Sequence, residues 1–178
     1  MRALSVLLSV FAATVTVTCC SGPGPAVHTN PRAAPLASPQ TVGCDAIIQQ
    51  VGAPGGRLVL GMLAAPPAHL DRAAPNPARP WAYFAKYGIS IRADSPAVLI
   101  TVPEAWRHRA AIAWGNNIGA VSSLRLLGCP RQMGAWNGYA GGFYLRSASG
   151  CVPLVFNIGR RTATLSFAIG SGSCGSAS

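Results

Sequence analysis

An all-β fold, a single disulfide-stabilised β-sandwich of about eight strands with at most one short N-terminal helix, is what three features of this sequence predict. Short runs rich in Val, Ile, Leu and aromatic residues alternate apolar with polar positions, the period of a strand with one buried face. Gly and Pro, 20 and 15 of the 178 residues, break the chain between those runs and leave little room for helix. Of the 6 cysteines, Cys44, Cys129, Cys151 and Cys174 lie beyond the first forty residues, an even set suited to bridging.

The elements follow in chain order. Arg2, an apolar run from Ala3 to Val17 and the pair Cys19-Cys20 have the layout of an export signal. The run is shorter than the roughly 20 residues a membrane-spanning helix needs. Its end resembles the lipobox of bacterial lipoproteins, in which a cysteine after short apolar or small residues is lipidated and becomes the mature N-terminus. Cleavage before Cys20 leaves four cysteines to pair, whereas the alternative, lipidation of Cys19, strands Cys20 as an odd thiol. Residues 1–19 are therefore expected to be a signal peptide, of the lipoprotein type or otherwise simply secretory. Residues 20–40, dominated by Pro, Ala, Gly and Ser, are expected to be a disordered tether, and residues 41–178 the sandwich.

Within that domain Asp45 to Val51 is the one helix candidate, because Ile47, Ile48 and Val51 share a helical face and Gly52 follows. Strands are expected over Arg57–Leu63, Ile89–Ala93, Ala97–Val102, Ala110–Trp114, Ser122–Leu127, Trp136–Leu145, Val152–Ile158 and Thr162–Ile169. Ala64 to Pro80, with Pro66-Pro67 and Pro77, reads as a long loop. Gly159-Arg160-Arg161 reads as a hairpin turn between the last two strands.

Two tracts carry a resemblance. Ala111-Ile112-Ala113-Trp114-Gly115-Asn116 with Ser122 to Arg125 and Gly128-Cys129-Pro130, and Trp136 to Tyr144 with Cys151-Val152-Pro153-Leu154, are similar to uncharacterised exported, lipoprotein-like β-domain proteins of high-GC Gram-positive bacteria. The resemblance spans Ala97 to Cys174 and implies an extracytoplasmic β-domain. It transfers no catalytic residue.

The cysteine pairing turns on one segment. If Gly141-Gly142 folds Trp136–Leu145 into a hairpin, Cys129 reaches Cys151 and Cys44 ties to Cys174; if the segment is one straight strand, Cys44 with Cys129 and Cys151 with Cys174 fits better. The glycine pair inclines the expectation to the first arrangement. Metal binding fits poorly, since the cysteines lack close paired spacing and His108 is isolated, and no cofactor is expected.

Charge supplies the functional reading. Fourteen Lys plus Arg against 4 Asp plus Glu give a net charge of +10, and loss of Arg2 with the signal leaves 13 − 4, about +9. Such an excess attracts anionic polymers, and an exported location ranks envelope polymers, acidic glycans and anionic headgroups above nucleic acid. Arg107, Arg109, Arg125 and Arg131 are the candidate charges, and Trp136 or Tyr139 the candidate aromatic face for a sugar ring. Asp45, Asp71, Asp94 and Glu104 are too few to favour a paired-carboxylate glycosidase, and no Gly-x-Ser-x-Gly elbow supports a serine triad built on His69 or His108. The sequence thus points to a non-catalytic, cell-envelope-associated binding or structural module. A cell-envelope hydrolase and a subunit of an extracytoplasmic assembly are the alternatives.

Overall fold

The longest strands show why this sequence makes sheet. In the computed structural model, which describes residues 38–51, 54–77, 79–132 and 134–175, Val152, Leu154, Phe156 and Ile158 of β14 (Gly150–Ile158) are buried while the residues between them are not. Strand β15 (Arg161–Ile169) runs antiparallel to it from Gly150↔Ile169 to Ile158↔Arg161. A two-residue turn joins them, and Gly159 at φ 58° takes the left-handed conformation that the turn requires.

The described residues are all-β, with fifteen strands in three sheets and two short 3₁₀ turns, Cys44–Ala46 and Glu104–Trp106. The remaining strands are β1 (Gln40–Val42), β2 (Gln49–Val51), β3 (Arg57–Val59), β4 (Leu63–Ala65), β5 (His69–Leu70), β6 (Ala74–Pro75), β7 (Tyr83–Lys86), β8 (Ile89–Arg92), β9 (Val98–Thr101), β10 (Ala110–Trp114), β11 (Ser123–Leu126), β12 (Trp136–Tyr139) and β13 (Gly141–Leu145). A six-stranded sheet has the order β1-β11-β9-β14-β15-β5, a four-stranded sheet β10-β13-β7-β6 and a five-stranded sheet β2-β12-β8-β4-β3. Among the described residues no helix is long and apolar enough to cross a membrane. The export segment, Cys19, Cys20 and most of the tether lie outside the described residues.

The chain passes between the three sheets at several connections, one of them inside a single apolar run. The run Trp136–Leu145, expected to be one strand or a hairpin, is neither: β12 belongs to the five-stranded sheet, Ala140 intervenes, and β13 continues in the four-stranded sheet. Close packing dictates the glycines there. A Cβ on Gly141 would run into the Ala113 carbonyl of β10, and one on Gly142 into the Ala85 carbonyl of β7.

Because the chain does not double back at Gly141-Gly142, Cys129 and Cys151 do not meet, and the favoured pairing is corrected. Cys44 bonds Cys129 and Cys151 bonds Cys174. The first bridge follows from β1 running parallel to β11, which carries both chains out at the same end of the sheet, where Cys44 and Cys129 stand with Cα atoms 5.6 Å apart. The second follows from the turn after β15, where Gly172 N–H donates to the Ile169 carbonyl and returns the chain toward β14.

Two further expectations are corrected. Asp45–Val51 is no helix: after the 3₁₀ turn Ile47 is extended, and Gln49–Val51 pairs antiparallel with Trp136–Gly138. An isolated helix of that length is marginal, so the sheet partner decides. Ala64–Pro80 is not one long loop, since it holds the end of β4 together with β5 against β15 and β6 against β7.

The core between the four- and six-stranded sheets is aromatic. Trp114 meets Phe143 edge-on at 5.5 Å, Phe143 lies 5.3 Å from Phe167, and Phe167 6.4 Å from Phe156. The Trp114 indole N–H donates to the Tyr87 carbonyl at 2.8 Å, so its one polar atom is satisfied inside the core.

Candidate functional site

The 3₁₀ turn Glu104–Trp106 delivers a tryptophan and an arginine to the start of β10. Arg109 N–H donates to the Trp106 carbonyl at 2.8 Å, and the Arg109 guanidinium lies over the Trp106 ring, 5.4 Å from its centroid. Strand β10 opens with Ala110 opposite Leu145, the last residue of β13. One step further out, Arg109 and Arg146 therefore face each other, and Arg146 N–H donates to the Arg109 carbonyl at 3.2 Å. Arg146 in turn places its guanidinium 5.5 Å from the centroid of the Trp81 ring.

Between these groups and the start of β14 lies a cavity of about 340 Å³, lined among others by Trp106, Arg109, Arg146, Ser149, Cys151 and Val152. Cys151, bridged to Cys174, thus forms part of its wall. Like charges directly opposite across two strands are destabilising. No carboxylate relieves them: among the described residues no arginine or lysine makes an ion pair, and the one cation–carboxylate contact joins His69 to Asp71 at 3.9 Å. The cavity therefore combines a hydrophobic wall, an indole face and two arginines without counter-ions.

The residues picked from sequence do not converge there. Arg109 lines the cavity, but Arg107 is turned aside, its Nε donating to the Val102 carbonyl at 3.3 Å. Arg125 projects from β11 into a separate hollow with Leu99 and Asn157. Arg131 is exposed on the segment after Cys129, where its backbone N–H donates to Asp94 Oδ1 at 3.3 Å. Trp136 is half-buried on β12, opposite Arg92. Tyr139 is the clearest correction: its side chain is fully buried and offers no face to a ligand, because this strand turns it into the core. Arg146, Trp106 and Trp81 are the partners the sequence reading did not choose. The i, i+3 spacing of Trp106 and Arg109 was a local signal for half of the site, while the register that adds Arg146 was not visible.

The Asn137–Tyr139 stretch has a structural task instead. Asn137 Nδ2 donates to the Cys129 carbonyl at 2.9 Å and Oδ1 accepts from Gln50 Nε2 at 2.7 Å. The Tyr139 hydroxyl donates to the Leu127 carbonyl at 3.0 Å. Together they hold the segment that carries the Cys44–Cys129 bridge. Burial, with a smaller contribution from the negative Asp45, pushes the Tyr139 phenol up to about 12.

A phenol whose folded-state value is raised contributes stability that is complete below its unfolded value near 10 and is lost as pH rises toward 12. The wild type is expected to lose roughly 2–3 kcal/mol through this group across that window. Tyr139→Phe should lack this component, so urea melts of the two proteins from pH 8 to 12 should show the shallower alkaline decline in the variant. Parallel declines would refute the assignment.

The two described histidines each have a neighbour. His108 Nε2 accepts from Arg109 Nε at 3.0 Å, and His69 faces Asp71. All four cysteines of the described chain are consumed in bridges. A second hollow of about 260 Å³ crosses the five-stranded sheet over Gly138, Ser90 and Ala64, with Ile48 and Gln49 on its lining. Ile48 and Leu58, at 52% and 64% exposure, are large apolar residues open to solvent, and Leu58 pairs with Ala64 in that sheet.

Comparison with protein-family models, with curated proteins and with solved structures finds no match. What the structure itself establishes about location is coarser: two disulfides mark an oxidising, extracytoplasmic environment.

Proposed function

We propose that this chain is a non-catalytic, cell-envelope-associated binding module for an anionic envelope polymer, held at the membrane through a lipid on Cys20 and engaging its ligand at the Trp106–Arg109–Arg146 cavity. The observation that carries this reading is the facing pair Arg109 and Arg146, which share one cavity and have no carboxylate partner among the described residues. An external anion supplies the missing charge, and the half-buried Trp106 supplies apolar surface beside Arg109 for a sugar ring to contact. The exposed Arg125, Arg131, Arg160 and Arg161 add a diffuse attraction that gathers a polyanion without selecting it. A subunit role in an extracytoplasmic assembly draws on a different observation, the exposed apolar side chains of Ile48, just before β2, and Leu58 in β3.

The test is a binding titration of the full-length, oxidised chain with a phosphate-bearing wall polymer, from about 50 to 200 mM salt. Affinity is expected to fall steeply over that range through counterion release. The Arg109→Gln, Arg146→Gln double variant should bind far more weakly than Arg131→Gln at every salt concentration. Absence of binding at low salt, or equal binding by the two variants, would overturn the proposal.

A further inference from the structure

The facing arginines also specify which anion fits. Each guanidinium lies over an indole in cation–π range, Arg109 over Trp106 at 5.4 Å and Arg146 over Trp81 at 5.5 Å. The Arg109 Nε–H is taken by His108 Nε2 at 3.0 Å, which leaves the terminal amino groups of the guanidinium as its donors to a ligand. Both arginines line one cavity and bring two positive charges to it. A carboxylate or a phosphodiester linkage brings a single negative charge and leaves one arginine uncompensated. A phosphomonoester brings about −1.5 to −2 charges at neutral pH, together with three acceptor oxygens, and can satisfy both.

The rest of the wall sets what the phosphate is attached to. Ala110, Leu145 and Val152 are buried apolar residues at the base, and Trp106 is a half-buried ring at the side. Ser147 and Ser149 add hydroxyl groups at the mouth, the Ser147 hydroxyl donating to the Ser149 carbonyl at 2.9 Å. A volume of about 340 Å³ lies at the small end of ligand pockets, room for a unit of one or two rings rather than a folded segment. Free inorganic phosphate would satisfy the arginines but leave the indole and the apolar base uncovered.

We infer that the cavity takes the terminal phosphate of a phosphorylated sugar, clamped between Arg109 and Arg146 with the ring against Trp106. This rests on the anionic-ligand reading of the same cavity and narrows it to a chain end or monomer carrying a phosphomonoester.

The experiment is calorimetric titration of the full-length, oxidised chain with a hexose phosphate, a hexuronate and inorganic phosphate, each also used to compete with the wall polymer. The hexose phosphate is expected to bind best and to displace the polymer. Arg109→Gln and Arg146→Gln should each weaken it about tenfold or more, and Trp106→Ala should reduce its advantage over inorganic phosphate. Polymer binding that the hexuronate displaces as well as the hexose phosphate would overturn this inference while leaving the polymer proposal standing. Hexose phosphate binding without polymer binding would do the reverse. Inorganic phosphate binding equally well, with Trp106→Ala unchanged, would remove the sugar from the site.

Discussion

Replacing Cys44 and Cys129 together by serine is expected to cost about 4–5 kcal/mol, the larger of the two bridge losses. The bridge spans a separation of 85 residues against 23 for Cys151–Cys174, so it removes more freedom from the unfolded chain: about 4.6 kcal/mol against about 3.4 by loop-closure entropy. Burial adds to the difference, because Cys129 is 2% exposed and a serine there carries a more polar group into a site built for sulfur. Domains of this size are commonly stable by about 5–15 kcal/mol, so the variant should sit near its unfolding threshold. Denaturant unfolding of the two double-serine variants checks the ranking. A greater loss in the Cys151/Cys174 variant would show that residual structure or strain, and not loop length, governs these bridges.

Trp114→Ala is expected to rank with it, at about 3–5 kcal/mol. Trp114 is wholly buried, meets Phe143 edge-on and donates its indole N–H to the Tyr87 carbonyl. It also stands opposite Gly141, where β10 and β13 approach so closely that no side chain fits between them, so the surrounding backbone has little freedom to collapse into the space left. Trp114→Phe separates the contributions: most of the packing stays, and the cost should fall to about 1–3 kcal/mol for the carbonyl left unpaired. Urea unfolding of the pair measures both. A loss below about 1 kcal/mol for alanine would mean that the core relaxes around the gap.

What the sequence disclosed depended on how far each element's cause lay from it. Strands β14 and β15 alternate more buried with more exposed residues within their own nine-residue spans, so their pattern was legible. Strands β8, β9 and β11 were legible for the same reason, and β10 as a short continuous apolar run, all within a residue or two of their ends. Strands β1, β2, β5 and β6 are two or three residues long and exist because of distant partners, which no local period announces. The segment Trp136–Leu145 misled because a chain that passes from one sheet to another has the same apolar run as a chain that stays in one. That single ambiguity carried over into the disulfide pairing. The site divides along the same line: Trp106 and Arg109 are neighbours in sequence, whereas Arg146 joins them only through the β10–β13 register. Tyr139 looked available beside its glycines, and strand parity turned it inward.

The parallel pairing of β1 with β11, closed by Cys44–Cys129, also governs how this molecule would bear tension. A pull on the N-terminal side reaches β1 along its own axis, so its three ladder positions resist in shear, together rather than one after another. Two residues later the load meets a covalent bridge and passes directly to Cys129. Everything from Asp45 to Gly128 is then bypassed on the path from the N-terminal side to Cys129. Breaking the bridge would place those bypassed strands in series with the load, and the domain would be expected to lengthen under force before it let go.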